Sequence, residues 1–495
     1  MKTTYLYITS LFLICLTACS DVLDTPPLNE PSENIFWKDQ KDYASGLTAC
    51  YHSMQGDFIS YVMPAFDCLT DNCYGAPSSG YHYNALLIQQ DNFDASTTGM
   101  IEGVYKNCYS AIARINIFLD HLTQYNGADM DAYRDQYEGE ALFLRSYAYY
   151  LLWMFYGEVP YVAHTTTLEN QDQPKTEKEQ LYQNIISDLD IAINKLKDET
   201  YMTSGHATRG AAKALKARLL MFHAYGETGE VINKNDVEDA YNLIGQITGY
   251  SLDTNYPGIF ISNQQQDSKE IIFSIKFLNP DNYHLMDSRY GNYGCFYPTA
   301  DLVNMYEAND IRLKEGIAIG VPAKSIYHTW DGGESILIGS SELGKRMLKW
   351  LTPYYKASDY WSASTRSDVD IVYLRWGEML LLRAEAANEL GKTEEAENWV
   401  NMIRQRAGVG NCPIGMTQNE MRQFIRDERR RETAFELIRY YDMKRWHIMN
   451  KLEGFILDPL IPDAVCHWNK AHEYWPIPQS QIDLSDGILI QNANY

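Results

Sequence analysis

Residues 371–408, IVYLRWGEMLLLRAEAANELGKTEEAENWVNMIRQRAG, spell two helices folded back on each other across Gly391. In the first, Gly377, Leu380, Ala384, Ala387 and Gly391 recur at helical spacing and make a seam of mostly small residues. Such a seam lets a neighbouring helix approach closely. Leu374, Trp376, Met379, Leu381 and Leu382 are apolar on the other sides, so burial on more than one face is expected. Gly391 supplies the left-handed residue that ends the helix. Thr393 is the expected N-cap of the second helix, with Glu394 and Glu395 at the positive end of its dipole. Ala396, Trp399, Val400, Ile403 and Ala407 then form a single apolar stripe, closed by Gly408.

Helical periodicity also predicts helices over 34–55, 100–125, 130–156, 178–197, 210–225, 237–247 and 424–450. In 130–156, Ala141, Leu144, Ala148, Leu151 and Phe155 fall on one side, and Gly157 to Pro160 stop the helix. The phrase AEAANELGKTEEA has the look of a tetratricopeptide-type hairpin, although insertions interrupt any fixed period. Burial on two sides suits scaffold packing better than an open peptide groove. Residues 71–98 and 250–353 differ in kind: aromatics sit among Gly, Asn and Asp, with strand-like runs at 270–277 and 335–338. Loops of that length inside a folded domain are uncommon and often functional. The expected fold is mostly α, with tetratricopeptide-like hairpins packed against an irregular, loop-rich region holding a few short strands.

The first residues resemble an export signal. Lys2 is followed by an uncharged apolar run from Tyr5 to Leu16, too short to span a bilayer comfortably. Leu16-Thr17-Ala18-Cys19 resembles the bacterial lipobox, in which the cysteine is acylated and becomes the first residue of the mature protein. Several acyl chains on Cys19 would anchor the domain stably, where one chain binds only marginally. The expected organisation is a signal peptide at 1–18, a lipid-anchored leader at 19–32 and one domain at 33–495. That domain divides into an N-terminal part (33–249), a loop-rich insert (250–353) and a C-terminal part (354–495). A formal net charge of −23 argues against nucleic acid as a partner, since phosphate backbones call for basic patches. Beyond Cys15 and Cys19 the cysteines are Cys50, Cys68, Cys73, Cys108, Cys295, Cys412 and Cys466, an odd number for an exported chain. Cys68 and Cys73 stand close enough to close a small loop, but scattered buried thiols are the expected state, and no Cys/His spacing makes a zinc site.

The chain carries no Gly-x-Ser-x-Gly elbow, no His-Glu-x-x-His, no phosphate-binding glycine loop and no calcium loop. No metal and no cofactor are expected. Asp427-Glu428-Arg429-Arg430-Arg431-Glu432, with Glu436, Arg439, Asp442 and Arg445 beyond, is the most crowded ionic stretch and has the spacing of a structural ladder. Among 38 Tyr and 10 Trp most are expected in the core, and the remainder would be exposed platforms in the two loop regions. Sugar rings stack their C–H faces on such aromatics while Asn, Asp, Gln and Arg take the hydroxyls.

Five motifs in order resemble the SusD/RagB family of outer-membrane nutrient-binding lipoproteins. They are Cys19-Ser20-Asp21 with Pro26; Glu140 to Tyr150 followed by Tyr156-Gly157-Glu158-Val159-Pro160; and Leu374 to Leu381 with Ile403 to Gly408. The last two are Glu428-Arg429 through Phe435-Glu436, Arg439 and Arg445-Trp446, and then Pro476-Ile477-Pro478 with Gln491-Asn492 and Tyr495. Two departures stand out: Leu437 where the family commonly has Gly, and Ala493-Asn494 in place of its usual Pro-Gly. The resemblance implies a non-catalytic lipoprotein on the outer leaflet that binds oligosaccharide and caps a SusC-like TonB-dependent transporter. The family's ligand residues vary with substrate, so none is carried over by motif. The aromatics of the corresponding loops are the candidates: Tyr74, Tyr81 and Tyr83 from the first, and Tyr290, Tyr293, Tyr297 and Trp330 from the second. The competing readings are a surface scaffold or adhesin, a peptide-binding transporter lid, and a glycoside hydrolase.

Overall fold

The computed structural model describes residues 36–76, 83–198, 205–292, 296–319, 325–328, 334–337, 343–351 and 366–495. Its helices are α1 (Gln40–Ser53), α2 (Met100–Gln124), α3 (Arg134–Tyr156), α4 (Lys178–Lys195), α5 (Arg209–His223), α6 (Lys234–Gly245), α7 (Trp376–Glu389), α8 (Thr393–Arg406), α9 (Gln418–Glu432) and α10 (Ile438–Arg445), with several shorter turns between them. From α1 to α9 each helix packs on the next in chain order. α6 packs directly on α7, so the hairpins are consecutive in space although more than a hundred residues of insert separate those two in sequence.

The ends of these helices follow local chemistry. Asp39, Thr208, Asn233 and Thr417 accept backbone N–H groups at the starts of α1, α5, α6 and α9, and Thr417 with Glu420 completes a capping box. At the end of α7, Gly391 takes φ +78°. Its N–H donates to Asn388 and that of Lys392 to Ala387, the paired bonds of a Schellman turn. Thr393 does not cap α8: Lys392 holds that position, and the Thr393 hydroxyl donates to the Asn388 side chain, 2.9 Å. α3 is buried on every side rather than along one stripe, because α2, α4 and the C-terminal segment enclose it.

Two expected helices are shortened. Ile371–Arg375 is a strand, β8, antiparallel to β2 (Ile271–Ile275), and the helix begins only at Trp376. β-Branched and aromatic residues on both strands favour the pleated form there. The helix expected over 424–450 breaks between α9 and α10, where Phe435 and Leu437 take φ of 64° and 66°. Leu437 thus pays roughly 1 kcal/mol of left-handed backbone strain at the position where the resembled family commonly has Gly. Its side chain is buried, which offsets that cost. Asn494, the second departure, also sits at positive φ (79°), a conformation Asn tolerates.

The remaining strands are also two-stranded and antiparallel: β1 (Cys73–Gly75) with β3 (Phe296–Pro298), β4 (Ile317–Ile319) with β7 (Lys345–Met347), and β5 (Ser325–His328) with β6 (Glu334–Leu337). They belong to the insert and to the loop after α1, and β3 also packs on β7.

The small-residue seam of α7 is buried as expected. Ala384 and Ala387 pack with Val400 and Ile403 of α8 and Met421 and Ile425 of α9. Ala384→Leu forces extra methylenes into that contact and should cost about 1–3 kcal/mol, read as a lower urea midpoint at unchanged slope. Gly377 serves a different purpose: a Cβ there would come within 2.5 Å of Glu270 Oε1 and 2.7 Å of Arg375 Nη1. It clears space for buried charges.

Those charges are the ionic stretch of α9 and its partners. Arg375 uses all five of its donors: Nη1 to Glu270 (2.8 Å) and Glu432 (2.7 Å), Nε to Glu436 (2.7 Å), and Nη2 to Glu436 (2.8 Å) and the Glu432 carbonyl (2.9 Å). Arg312 and Arg406 also pair with Glu432, and Lys349 with Glu436. Arg429 and Arg445 share Asp442, and Arg445 reaches Glu385 on α7. The ladder is structural. It ties the insert, through Glu270 and Arg312, to the hairpins.

Candidate ligand-binding face

The two aromatic loops meet. β1 and β3 set Tyr74 directly opposite Tyr297, with ring centroids 6.3 Å apart. Two contacts root this junction in the helical body. Asp71, two residues before β1, is held by Nη2 and Nε of Arg439 at 2.6 and 2.7 Å, with Arg430 at 3.4 Å. Burial opposes charge on Asp71, but the two guanidiniums outweigh it and hold its carboxyl below the usual range. Asp67 accepts the Phe435 N–H at the break between α9 and α10.

Above this root lies a layer of rings and one cation. The Arg289 guanidinium stands 5.2 Å over the Tyr61 ring and 5.4 Å from the Tyr83 ring, and it donates to the Tyr83 hydroxyl. Exposed Asp57 sits 3.9 Å from the same guanidinium. Burial works against the Arg289 charge, yet Tyr83, Tyr61 and Asp57 raise its pKa above the ordinary value. Tyr83 is half-buried, edge-on to Phe58 at 5.3 Å and stacked over Phe296 at 6.3 Å. Beneath, His284 stacks on Tyr61 at 5.2 Å and donates its Nε2–H to the Val369 carbonyl at 2.8 Å. Burial pushes this imidazole down to about 4, so it is a neutral pin at physiological pH. At the edge Tyr283 is 43% exposed, with Arg366 over its ring at 5.6 Å.

This geometry corrects part of the expectation for the tyrosines. Tyr74, Tyr290 and Tyr297 are only 7%, 3% and 3% exposed. Tyr290 packs on Phe296 and donates to the carbonyls of Tyr61 and Val62, while Tyr74 and Tyr297 cover each other. All three support the face from below instead of opening to solvent, because the pairing of β1 with β3 closes over them. Tyr83 alone of the four described candidates shows part of its ring. Tyr81, Tyr293, Trp330 and Cys19 lie outside the described residues. Asp57, Phe58, Tyr61 and Arg289 join the face without having been expected there from the sequence. An arginine inside the aromatic run Tyr283 to Tyr297 was the available signal for the last.

Chemically the face offers a flat cation, a half-exposed ring and a carboxylate within one small area. It can stack a ring's C–H face and bond its hydroxyls. Among the described residues no cluster of His, Cys, Asp and Glu has the arrangement of a metal site. A separate cleft of about 420 Å³ opens between α2, residues 160–173 and the C-terminal segment, where Tyr105, Tyr109, His164, Gln173 and Gln481 line it. There Tyr105 is buried, and half-buried Tyr109 donates its hydroxyl to the Pro160 carbonyl, 2.7 Å.

Residues 322–495 match the model of the SusD family, and residues 47–221 match a family model described as starch-binding associating with outer membrane. SusD-like protein P2 of Formosa agariphila is 24% identical over 98% of each chain, and a SusD-like protein of Bacteroides ovatus is 22% identical over 98% of this chain and 94% of its own. A SusD-like protein of Bacteroides fragilis superposes with a TM-score of 0.75, at 24% identity over 95% of this chain and all of that one. Surface glycan-binding protein A of Bacteroides thetaiotaomicron, solved in complex with laminarihexaose, superposes with a TM-score of 0.72, at 21% identity over 92% of this chain and all of that one. With family models on both halves and SusD-like relatives alongside nearly every residue between, the chain belongs to the SusD/RagB family.

Proposed function

We propose that this protein is a cell-surface glycan-binding subunit that captures an oligosaccharide and passes it to a partner TonB-dependent outer-membrane transporter, without catalysis. The observation that carries the reading is the Tyr61–Arg289–Tyr83 layer at the junction of the two loops, with exposed Asp57 and Tyr283 at its margins. The family description and the laminarihexaose complex of a structural relative support the ligand class. In this reading residues 1–18 direct export, acylated Cys19 holds the chain in the outer leaflet, residues 19–32 are a leader, and 33–495 form one domain facing the exterior. Tyr83 is the ring we assign to ligand contact, with Tyr81, Tyr293 and Trp330 as further candidates. The hairpins carry the face and touch no ligand.

The test uses the chain without residues 1–18 on a broad glycan array, followed by calorimetry on any hit. Tyr83→Ala and Arg289→Ala are each expected to weaken binding about tenfold, some 1.4 kcal/mol, at unchanged circular dichroism. Incubation with the bound glycan should release no new reducing ends, and a large β-barrel transporter should come down with the protein from outer membranes. Binding to a peptide library with silence on the array would move the assignment to a peptide-binding lid.

A further inference from the structure

Cys68 lies in the short helical segment Met63–Leu69 and Cys73 opens β1. Both are fully buried, and their sulfur atoms stand 3.0 Å apart. The turn between them is already fastened. The Thr70 hydroxyl donates to the Asp67 carbonyl (2.7 Å) and accepts the Asn72 N–H (3.1 Å), while the Asn72 amide donates to the Asp67 carboxylate (2.9 Å). Cys50, Cys108, Cys412 and Cys466 are buried too, but among the described residues none of these lies against a second cysteine.

We propose that Cys68 and Cys73 are joined by a disulfide in the mature protein, closing residues 68–73 into a ring at the root of the ligand face. Two thiols give up two protons and two electrons as the S–S bond forms. The acceptor is the active disulfide of a thiol oxidoreductase in the compartment the chain enters on export, which is reduced to its dithiol. Exchange needs a thiolate, and burial pushes the Cys73 thiol up from its ordinary value. The bond therefore forms before this segment packs, and burial afterwards shields it from reductants. The ring contains Asp71, the partner of Arg439 and Arg430, and it ends one residue before Tyr74. Closing it limits the freedom of the chain that the β1–β3 junction must order. The inference rests on the export reading above.

The full chain is expressed in its host, fractionated to confirm surface exposure, quenched in acid to stop thiol exchange, then denatured at neutral pH with a thiol-alkylating maleimide present and digested. The segment holding Cys68 and Cys73 is expected unlabelled and about 2 Da lighter than its reduced form, while Cys50, Cys108, Cys412 and Cys466 carry label. Label on both Cys68 and Cys73 in surface-exposed protein overturns the proposal. If fractionation placed the chain inside the cell, the export reading would fail separately. The pair would then be judged by refolding in oxidised glutathione, where label on both again overturns it. Reduction before refolding should lower Tm by about 2 °C, and a Cys68→Ser/Cys73→Ser chain should start from that lower value and ignore reductant.

Discussion

Arg375→Ala is expected to remove about 3–5 kcal/mol of stability, a large share of what holds a domain folded. The residue is 1% exposed at the start of α7, and its five donors meet Glu270, Glu432 and Glu436. Truncation leaves these buried carboxylates short of a cation in a medium that solvates them poorly. Glu432 keeps Arg312 and Arg406, and Glu436 keeps Lys349, so the domain is weakened and not abolished. Arg375→Lys should rescue little, because an ammonium cannot reproduce the fork that spans three carboxylates. Arg422→Ala makes the comparison: its pair with Glu389 is partly open to solvent, and its loss should cost about 1 kcal/mol or less. Urea titrations of the three variants decide the matter, and equal losses for Arg375→Ala and Arg422→Ala would refute a central role for the network.

Acid should unfold the protein through the same residues. Glu385 and Glu428 each face opposing effects: burial raises their pKa, and the guanidiniums of Arg445 for the first and Arg312 for the second bring it down to about 2. A carboxylate whose folded pKa lies below its unfolded value near 4.5 stabilises the fold above 4.5. It loses that contribution as pH falls toward 2. Each shift corresponds to something on the order of 3 kcal/mol. With a net charge of −23, first protonation of exposed carboxylates relieves repulsion, so the urea midpoint should peak near pH 5 and drop steeply below pH 4. Glu428→Gln should be less stable at pH 7 and flatter in acid. A midpoint that holds level down to pH 3 would show that these pairs contribute little.

The helical hairpins were legible because their determinants are local. A Gly391 that must adopt positive φ, a Thr417–Glu420 capping box and an apolar repeat each act within a few residues. Local signals also misled where tertiary pairing outweighed them. Ile371–Arg375 continues the apolar run of α7 yet becomes a strand because β2 is available beside it. The ladder of α9 was visible as spacing, but most of its partners, Arg312, Arg375, Arg404 and Arg406 among them, come from elsewhere in the chain.

For this protein the order of residues alone determined the helical scaffold, its caps, the resemblance to a family and the two loops where a ligand would be sought. Which aromatics in those loops face outward was decided only by the folded chain. Tyr74 is covered by Tyr297, more than two hundred residues away, whereas Tyr83 stays half open because Arg289, 206 residues on, props its hydroxyl. The spacing of residues along a helix fixes which of them share a face, since the backbone repeats. An irregular loop has no such repeat, and the exposure of each side chain there depends on whichever distant segment packs against it.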